Sequence, residues 1–325
     1  TDILRELMLI PGLAGHEERV AAAIAAHLDR MGLPHRSDRL GNLVTTIAGD
    51  PAAPSVMVFT HMDQLGFVVR KVEANGLIRL ERLGGVPERA LAAQAVLICT
   101  AKGDLPAVIA NKSHHATTPE EKYRVLPYAE LYVDAGFASK AEAEVAGVLI
   151  GTPVVYLPRV LDLAGGRIAG TSVDDRAGCA VLLALAERLA ARDNGPTVHL
   201  VWSVQEEYNL RGVLPAATAC APDIALQIDL LLACDTPDMA ARGDVACQIV
   251  GVVPDAPDEG RGASRQPGKA QEVQPGHGRD AALMRWTPLF VKGIDLQPAI
   301  VQIEPRGPDD GRDTGIGQGQ GKDRG

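Results

Sequence analysis

From Thr171 onward the sequence alternates between helix-like and strand-like segments, and this alternation restricts the possible folds more than any other feature. The apolar spacing predicts, in order, a helix, a strand, a helix and a strand, over 175–192, 197–204, about 211–220 and 224–232. Strands that alternate with helices form an α/β sheet, mostly parallel and flanked by helices. Two strand-like runs nearer the N-terminus, GNLVTTIAG and PSVMVFTHMD, are expected to belong to the same fold.

A different pattern interrupts this alternation between about residues 67 and 164. Residues 66–100 contain short β segments separated by glycine and show no helix-length period. Several short strands in a row are typical of a small β-rich module. We therefore predict a discontinuous α/β domain over 1–66 and 165–246, with a β-rich domain inserted at 67–164.

The composition changes again at about Cys247. Glycine and proline make up 22 of the last 79 residues, against 34 of the preceding 246. A segment so rich in glycine and proline, and poor in large aliphatic residues, approaches the composition of disordered chains. We therefore expect residues 247–325 to form a poorly ordered tail. A frameshift or gene rearrangement would explain so abrupt a change.

Charge and hydropathy exclude several classes of function. The formal net charge of −9 disfavours nucleic acid or an anionic membrane as a partner. No apolar run approaches the ~20 residues of a membrane span, and no secretion signal is recognisable. The five cysteines are scattered and form no Cys-x-x-Cys pair, which argues against a disulfide framework or a thiolate zinc site. We expect a cytoplasmic protein.

A histidine and several acidic residues stand where the apolar runs end or the helices begin. The set comprises His61, Asp63, Asp174, Asp175, Glu206, Glu207 and Asp229. Open α/β sheets place their sites at the carboxyl ends of the strands. A histidine and carboxylates at such an edge are the groups that a two-metal hydrolase needs.

Most members of this set also have an ordinary structural explanation. A histidine at a strand end is more often a structural residue, and Asp174–Asp175 are favourable caps for a helix N-terminus. Adjacent acids such as Glu206–Glu207 usually face solvent. Asp229 is harder to explain in this way, because a carboxylate within an apolar run is costly to bury unless it is paired or bound to metal.

At these positions the chain resembles the dinuclear metallo-aminopeptidases of the glutamyl-aminopeptidase and tetrahedral-aminopeptidase type. The resemblance covers about residues 4–246 and is carried by PGLAGHEERV, THMDQLGFVV, SHHATTPEEKYRV, SVDDRAGCAVLL, WSVQEEYNLRGV and IDLLLACDTPD. It implies an α/β peptidase domain in which the β-rich insertion mediates dimerisation. It also implies peptide substrates, removal of the N-terminal residue, and a homo-oligomer that ranges from a dimer to a dodecamer.

The resemblance further implies two divalent metal ions, zinc or cobalt, and a set of ligands for them. His61 would bind one metal ion, and Asp174 would bridge both. Glu207 would bind a metal ion, and Asp229 would bind the other. The metal ions would activate the water molecule that attacks the first peptide carbonyl.

Other residues receive catalytic or supporting roles from the same resemblance. Glu206 would be the general base, and Asp63 would orient His61 and tune the site. From the residues themselves, a supporting role is open for Asp175, and also for Asp235, although the CDTPD context favours a turn residue at that position. A position near the substrate entrance is expected for His114 and His115, although an ordinary surface role is equally compatible with the sequence.

The C-terminal part departs from the family pattern. The family's last metal ligand is a histidine on a folded segment near the end of the chain. Here the one histidine after Asp229 is His277, 48 residues downstream and in an unrelated context. Two alternatives therefore stay open beside the aminopeptidase. One is a catalytically impaired relative that acts only in assembly or binding, and the other is a related metal-dependent deacylase or carboxypeptidase.

Overall fold

A computed structural model describes residues 2–192 and 194–230, together with the backbone of two short strands at 251–252 and 300–301. Within these ranges it contains five α-helices: Asp2–Met8 (α1), Glu18–Arg30 (α2), Lys140–Val145 (α3), Val173–Ala190 (α4) and Val213–Cys220 (α5). Its strands are His35–Ser37 (β1), Leu43–Ile47 (β2), Val56–His61 (β3), Gly66–Val72 (β4), Ile78–Leu83 (β5), Ala95–Thr100 (β6), Gly103–Ala110 (β7), Tyr132–Asp134 (β8), Pro153–Tyr156 (β9), Val160–Asp162 (β10), Ile168–Gly170 (β11), Val198–Ser203 (β12), Ile224–Gln227 (β13), Gly251–Val252 (β14) and Ile300–Val301 (β15).

The main sheet has six strands in the order β1-β2-β12-β3-β13-β14. Both β12 and β13 pair with β3 in parallel, whereas the other three pairings are antiparallel. The prediction of a mostly parallel sheet is therefore correct only for its centre. The physical reason is clearest at β1 and β2, because a connection of five residues is too short for a parallel crossover.

Successive residues of the central strand β3 point to opposite faces of the sheet, and each face packs against a different apolar cluster. Val58 belongs to the apolar cluster that includes α2 and α4, with Ile24 and Leu182 among its members. Met57 and Phe59 belong to a separate cluster with residues of α5. Helices thus cover both faces of the parallel strands, and an apolar core on each face supports the carboxyl edge of the sheet.

The strands between β3 and β10 form a closed barrel in the order β4-β5-β8-β7-β6-β9. Its pairings are antiparallel, and its interior is filled by buried residues that include Phe67, Ile78, Val96 and Ile98. The β-rich character expected for this part of the chain is therefore present. Whether it acts as an independent dimerisation domain remains a prediction.

Several predicted boundaries shift in the structure. The helix predicted over 175–192 is assigned to Val173–Ala190, although Asp174 and Asp175 have non-helical backbone angles. The strand predicted over 224–232 ends at Gln227. Most of the predicted tail, and also Asp235, lies outside the described residues. Of that region the structure describes β14, which pairs with β13, and β15, which pairs with β11.

Within the described part of the chain, none of the helices combines the length and the apolar character that a bilayer crossing requires.

Candidate metal centre and active site

The carboxyl ends of three parallel strands meet at one edge of the six-stranded sheet. His61 ends β3 and lies level with Ser203 at the end of β12. Asp229 follows β13, which pairs with β3 on its other side. His61 Nε2 lies 3.0 Å from Asp174 Oδ1 and 3.9 Å from Asp229 Oδ1. One ligand atom from each of His61, Asp174 and Asp229 lies within 4.8 Å of the others.

The two ring nitrogens of His61 face different groups. Nδ1 lies 3.2 Å from the Asp63 carbonyl oxygen and 3.4 Å from Asp63 Oδ1. In the neutral ring a proton on Nδ1 leaves the Nε2 lone pair free to bind a metal ion. Burial by itself would lower the pKa of His61, but its hydrogen bonds to Asp174 and Asp63 outweigh that effect and raise the pKa well above its usual value.

The two acidic side chains at the start of α4 lie in different environments. The peptide bond between Asp174 and Asp175 is cis, and Asp174 extends toward His61. Asp175 is fully buried and accepts a hydrogen bond from Thr60 Oγ1 and another, at 2.9 Å, from the Gly178 N–H. The second bond spans three residues, as an N-cap bond does. The capping explanation therefore applies to Asp175 and not to Asp174.

Glu206 and Glu207 lie on an irregular turn that follows β12. The Asp63 carboxylate accepts the Glu206 N–H at 2.9 Å through Oδ1 and the Glu207 N–H at 3.0 Å through Oδ2. Asp63 thus holds this turn in addition to lying beside His61. Glu206 Oε2 approaches His61 Nε2 to 3.9 Å. Glu207 does not join the compact group of potential ligands found among the described residues.

Asp229 is held by its own neighbours in sequence. Its Oδ2 accepts a hydrogen bond of 2.7 Å from Gln227 Nε2, and its Oδ1 accepts one of 2.7 Å from the Leu230 N–H. The chain leaves the strand conformation at Gln227, which allows the Asp229 carboxylate to turn toward His61. Asp229 is exposed, so the full burial cost considered for it in the sequence does not arise, and its own hydrogen bonds account for an acidic residue in an otherwise apolar stretch.

The site concentrates acidic groups around the buried ring of His61, with Asp229 at its exposed margin. Burial raises the pKa of Glu206 to about 7 and the pKa of Glu207 to about 8. Burial likewise raises the pKa of Asp229, and it raises that of Asp175 well above its usual value. The positive charge of one imidazolium at His61 only partly offsets these effects. A divalent cation would compensate the remaining negative charge, and metal affinity at such a site depends on pH.

The donor set fits a divalent metal ion. It combines an imidazole nitrogen with carboxylate oxygens, which are ligands for zinc and for cobalt. The Nε2 atom of His61 and the carboxylate oxygens of Asp174 and Asp229 already face one another, so little rearrangement is needed to place an ion between them.

The remaining predicted residues lie elsewhere or outside the described ranges. His114 and His115 are exposed in a short turn, His114–Ala116, and their rings meet edge to face at 5.9 Å. Neither belongs to the ligand group found in the described part of the chain. Their placement near a substrate entrance stays a prediction. Asp235 lies among the residues that the structure does not describe.

Two residues that support the site escaped the sequence analysis. Thr60 donates a hydrogen bond to Asp175, and Gly178 donates its backbone N–H to the same carboxylate. A Cβ atom on Gly178 would overlap with both the Asp175 carboxylate and the Thr60 hydroxyl. The available indications were local: Thr60 directly precedes His61, and Gly178 stands three residues after Asp175, where an N-cap aspartate finds its donor.

Comparisons with known proteins agree with the motifs. A family profile described as M42 glutamyl aminopeptidase matches residues 41–254. An Escherichia coli (strain K12) protein named "Putative aminopeptidase SgcX" is 37% identical over 246 residues, which are 75% of this chain and 66% of that protein. This chain therefore spans just under two thirds of the length of that relative.

Solved structures extend the likeness to the fold. The TET aminopeptidase from the marine sediment archaeon Thaumarchaeota archaeon SCGC AB-539-E09 matches with a TM-score of 0.69 and 30% identity, over 73% of this chain and 66% of that chain. The Pyrococcus horikoshii TET1 peptidase, which can assemble into a tetrahedron or a large octahedral shell, matches with a TM-score of 0.65 and 28% identity, over 70% of this chain and 68% of that one.

Proposed function

The chain belongs to the M42 glutamyl aminopeptidase family, and from this we propose that it is a metal-dependent aminopeptidase that removes the N-terminal residue of peptides. The observation that carries the proposal is the buried Nε2 of His61, which faces the carboxylates of Asp174, Glu206 and Asp229 at the carboxyl edge of the sheet. A structural histidine that is only 1% exposed would not need three acidic neighbours.

Two divalent ions are proposed as cofactors. His61 would bind one ion, Asp174 would bridge the two, Glu207 would bind an ion and Asp229 would bind the other. When bound, such ions polarise a carbonyl oxygen and make water a stronger nucleophile at neutral pH.

Glu206 is the proposed general base. It would take a proton from the attacking water and return it to the leaving amine, so that the peptide bond breaks with a free amino group on the shortened peptide. A pKa of about 7 matches this task, because a base works best when its pKa lies near the operating pH. Asp63 would contribute by holding the backbone of Glu206 and by orienting His61.

Self-association through the barrel region is part of the same proposal. Three large apolar side chains lie exposed near the end of α3: Val145 is 73% exposed, Leu149 57% and Ile150 79%. Such a cluster on a soluble domain is typical of a protein–protein contact. Because the TET1 relative can form large shells, we propose that a second copy of this chain covers the cluster, in an assembly between a dimer and a dodecamer.

The Glu206→Gln variant tests the catalytic assignment. It should keep bound metal but lose about 10²- to 10⁴-fold in kcat, because the amide cannot accept the proton. Glu187→Gln, an exposed change on α4, serves as the matched control. Metal content and release of amino acids from unblocked peptides are measured together. Near-normal turnover in Glu206→Gln would reject the assignment.

The substrate panel separates the alternatives. Cleavage of peptides with a free amino terminus, and not of their N-acetylated or C-terminal analogues, is the expected result. Preference for N-acylated substrates would identify a deacylase, and release of C-terminal residues a carboxypeptidase. A chain that binds metal and self-associates without cleaving any of them would be the impaired relative.

A further inference from the structure

Three successive backbone N–H groups on the turn after β12 each donate to a buried carboxylate. Gln205 donates to Glu17 Oε1 at 3.0 Å, and Glu206 and Glu207 donate to the two oxygens of Asp63 at 2.9 and 3.0 Å. Glu17 is 4% exposed and Asp63 is 0% exposed. Asp63 keeps a lowered pKa because its bonds to His61 and to these amides outweigh its burial, and a hydrogen bond to an ionised acceptor is stronger than a neutral one. Burial raises the pKa of Glu17 to about 7, so near neutral pH it accepts the Gln205 N–H either as a carboxylate or through the carbonyl oxygen of the neutral acid.

Glu17 does not perform the role that its position in sequence suggests. It stands at the N-cap of α2, where an acidic side chain would normally accept an N–H of its own helix. Its side chain makes no such bond. Oε1 instead accepts the Gly15 N–H at 2.7 Å and the distant Gln205 N–H. The carboxylate is therefore directed away from its helix and toward the turn that carries Glu206.

The turn needs support because its backbone is in an unfavourable conformation. Gln205 has a φ of 53°, in the left-handed region that costs a residue with a side chain about 1 kcal/mol or more. The Gln205 carbonyl accepts the Arg211 N–H at 3.1 Å, and the Glu206 carbonyl accepts the Leu210 N–H at 3.0 Å. The bond from Gln205 to Glu17 ties the N-terminal end of this loop to another part of the chain.

The segment that carries Glu17 is itself anchored to the end of β3. The Gln64 N–H donates to the Gly12 carbonyl at 2.9 Å, and Gln64 Oε1 accepts both the Gly12 N–H and Arg176 Nη2, each at 3.3 Å. Arg176 is fully buried, and its positive charge interacts with Glu17 and Asp63. Glu17 and Asp63 thus belong to one rigid support behind the turn.

We propose that Glu17 is a positioning residue of the hydrolytic site, which acts with Asp63 as a carboxylate clamp on the amides of residues 205–207 and so sets the placement of Glu206 and Glu207. The inference rests on the proposed function, because it assigns Glu17 to the same reaction. The hydrogen bonds described for the Glu17 side chain go to the backbone N–H groups of Gly15 and Gln205, and not to a proposed metal ligand. Its contribution passes through the backbone of the turn.

Three full-length variants test the clamp. Glu17→Met removes the acceptor but keeps a side chain of similar length, and Glu17→Gln keeps a carbonyl oxygen that can accept both N–H groups. Glu18→Met, at the next position and exposed to solvent, is the matched control. Hydrogen–deuterium exchange of the amides at 205–207 is measured with and without zinc, beside metal content, melting temperature, kcat and KM.

We expect Glu17→Met to exchange about tenfold faster at 205–207 and to lose about 10- to 100-fold in kcat, because small displacements of a catalytic group carry costs of this size. KM should change less, since Glu17 lies behind the turn. Glu17→Gln should restore both the exchange rate and kcat to within a few-fold of the wild type, and Glu18→Met should match the wild type.

Unchanged exchange at 205–207 in Glu17→Met would overturn the proposal. So would a melting temperature lowered equally in Glu17→Met and Glu17→Gln with no change in kcat, because that pattern describes a purely structural residue. If Glu17→Met does not fold, Glu17→Ser replaces it, because its smaller side chain leaves room for water to solvate the Gln205 N–H. The same measurements and criteria then apply to Glu17→Ser. A wild-type protein that exchanges slowly at this turn but cleaves no peptide would reject the proposed function and leave the clamp standing.

Discussion

Raising the pH should destabilise the metal-free protein. The perturbation is a shift from about pH 5.5 to about pH 8.5 in protein from which a chelator has removed the metal. The main groups responsible are Glu206 and Glu207, whose pKa values in the folded state are about 7 and about 8. Both values lie above the ordinary 4.5 of a glutamate, so the folded state holds these protons more tightly than the unfolded state does. The resulting stability is complete below about pH 4.5 and is lost as the pH rises through 7 to 8.

The magnitude follows from the linkage of protonation and folding. One pH unit of differential protonation is worth about 1.4 kcal/mol, so across this window Glu206 would cost about 2 kcal/mol and Glu207 about 3 kcal/mol. Because the two residues share the same charged neighbours, their effects do not add in full, and we expect about 3 kcal/mol for the pair. Glu17, whose pKa burial raises to about 7, and His61, whose pKa is raised well above its usual value, act in the same direction and add to this loss. His199 acts in the opposite direction, since burial lowers its pKa.

Urea unfolding of the metal-free protein at both pH values measures the effect. The midpoint should fall on going to the higher pH. Zinc at about 100 times its Kd should restore about 2.7 kcal/mol at the higher pH, because it binds the folded state alone. Glu207→Gln removes one of the two titrating groups and should flatten the pH dependence. A metal-free protein equally or more stable at the higher pH would refute this account of the site.

Three further predictions concern metal binding, support and assembly. Asp174→Ala should lose most bound metal at equal zinc concentration, measured by elemental analysis, and unchanged metal content would rule out its bridging role. Gly178→Ala should lower the free energy of unfolding by about 1–3 kcal/mol, because its Cβ overlaps with the Asp175 carboxylate and the Thr60 hydroxyl; an unchanged urea midpoint would contradict the described packing. Ile150→Asp should shift the mass measured by light scattering toward a smaller species, because it places a charge in the proposed contact, and an unaltered mass would remove this cluster from the interface.

Much of the site could be predicted because its candidate residues lie next to helices and strands that the local sequence reveals. His61, the Asp174–Asp175 pair and Glu206–Glu207 each follow or precede a recognisable element. Their shared position at strand ends is a general property of α/β sheets. Family motifs suggested roles that spacing alone could not, such as the proposed distinction between Glu206 and Glu207.

Other features could not be predicted because they depend on contacts between distant segments. The pairing of Glu17 with Gln205 joins residues 188 positions apart, and no local pattern marks it. The antiparallel partners of β2 and β13 were missed for a similar reason, since alternation of helix and strand does not reveal the direction in which a neighbouring strand runs.

The sequence by itself determined which segments are apolar, where candidate metal ligands stand and which family the chain belongs to, because composition, spacing and motifs are properties of consecutive residues. The tertiary structure alone decided which carboxylates face His61 Nε2, which of the two aspartates caps α4 and which acids hold the turn at Glu206. These outcomes depend on distance, burial and backbone direction, and they arise only when strands and helices separated in sequence pack against one another.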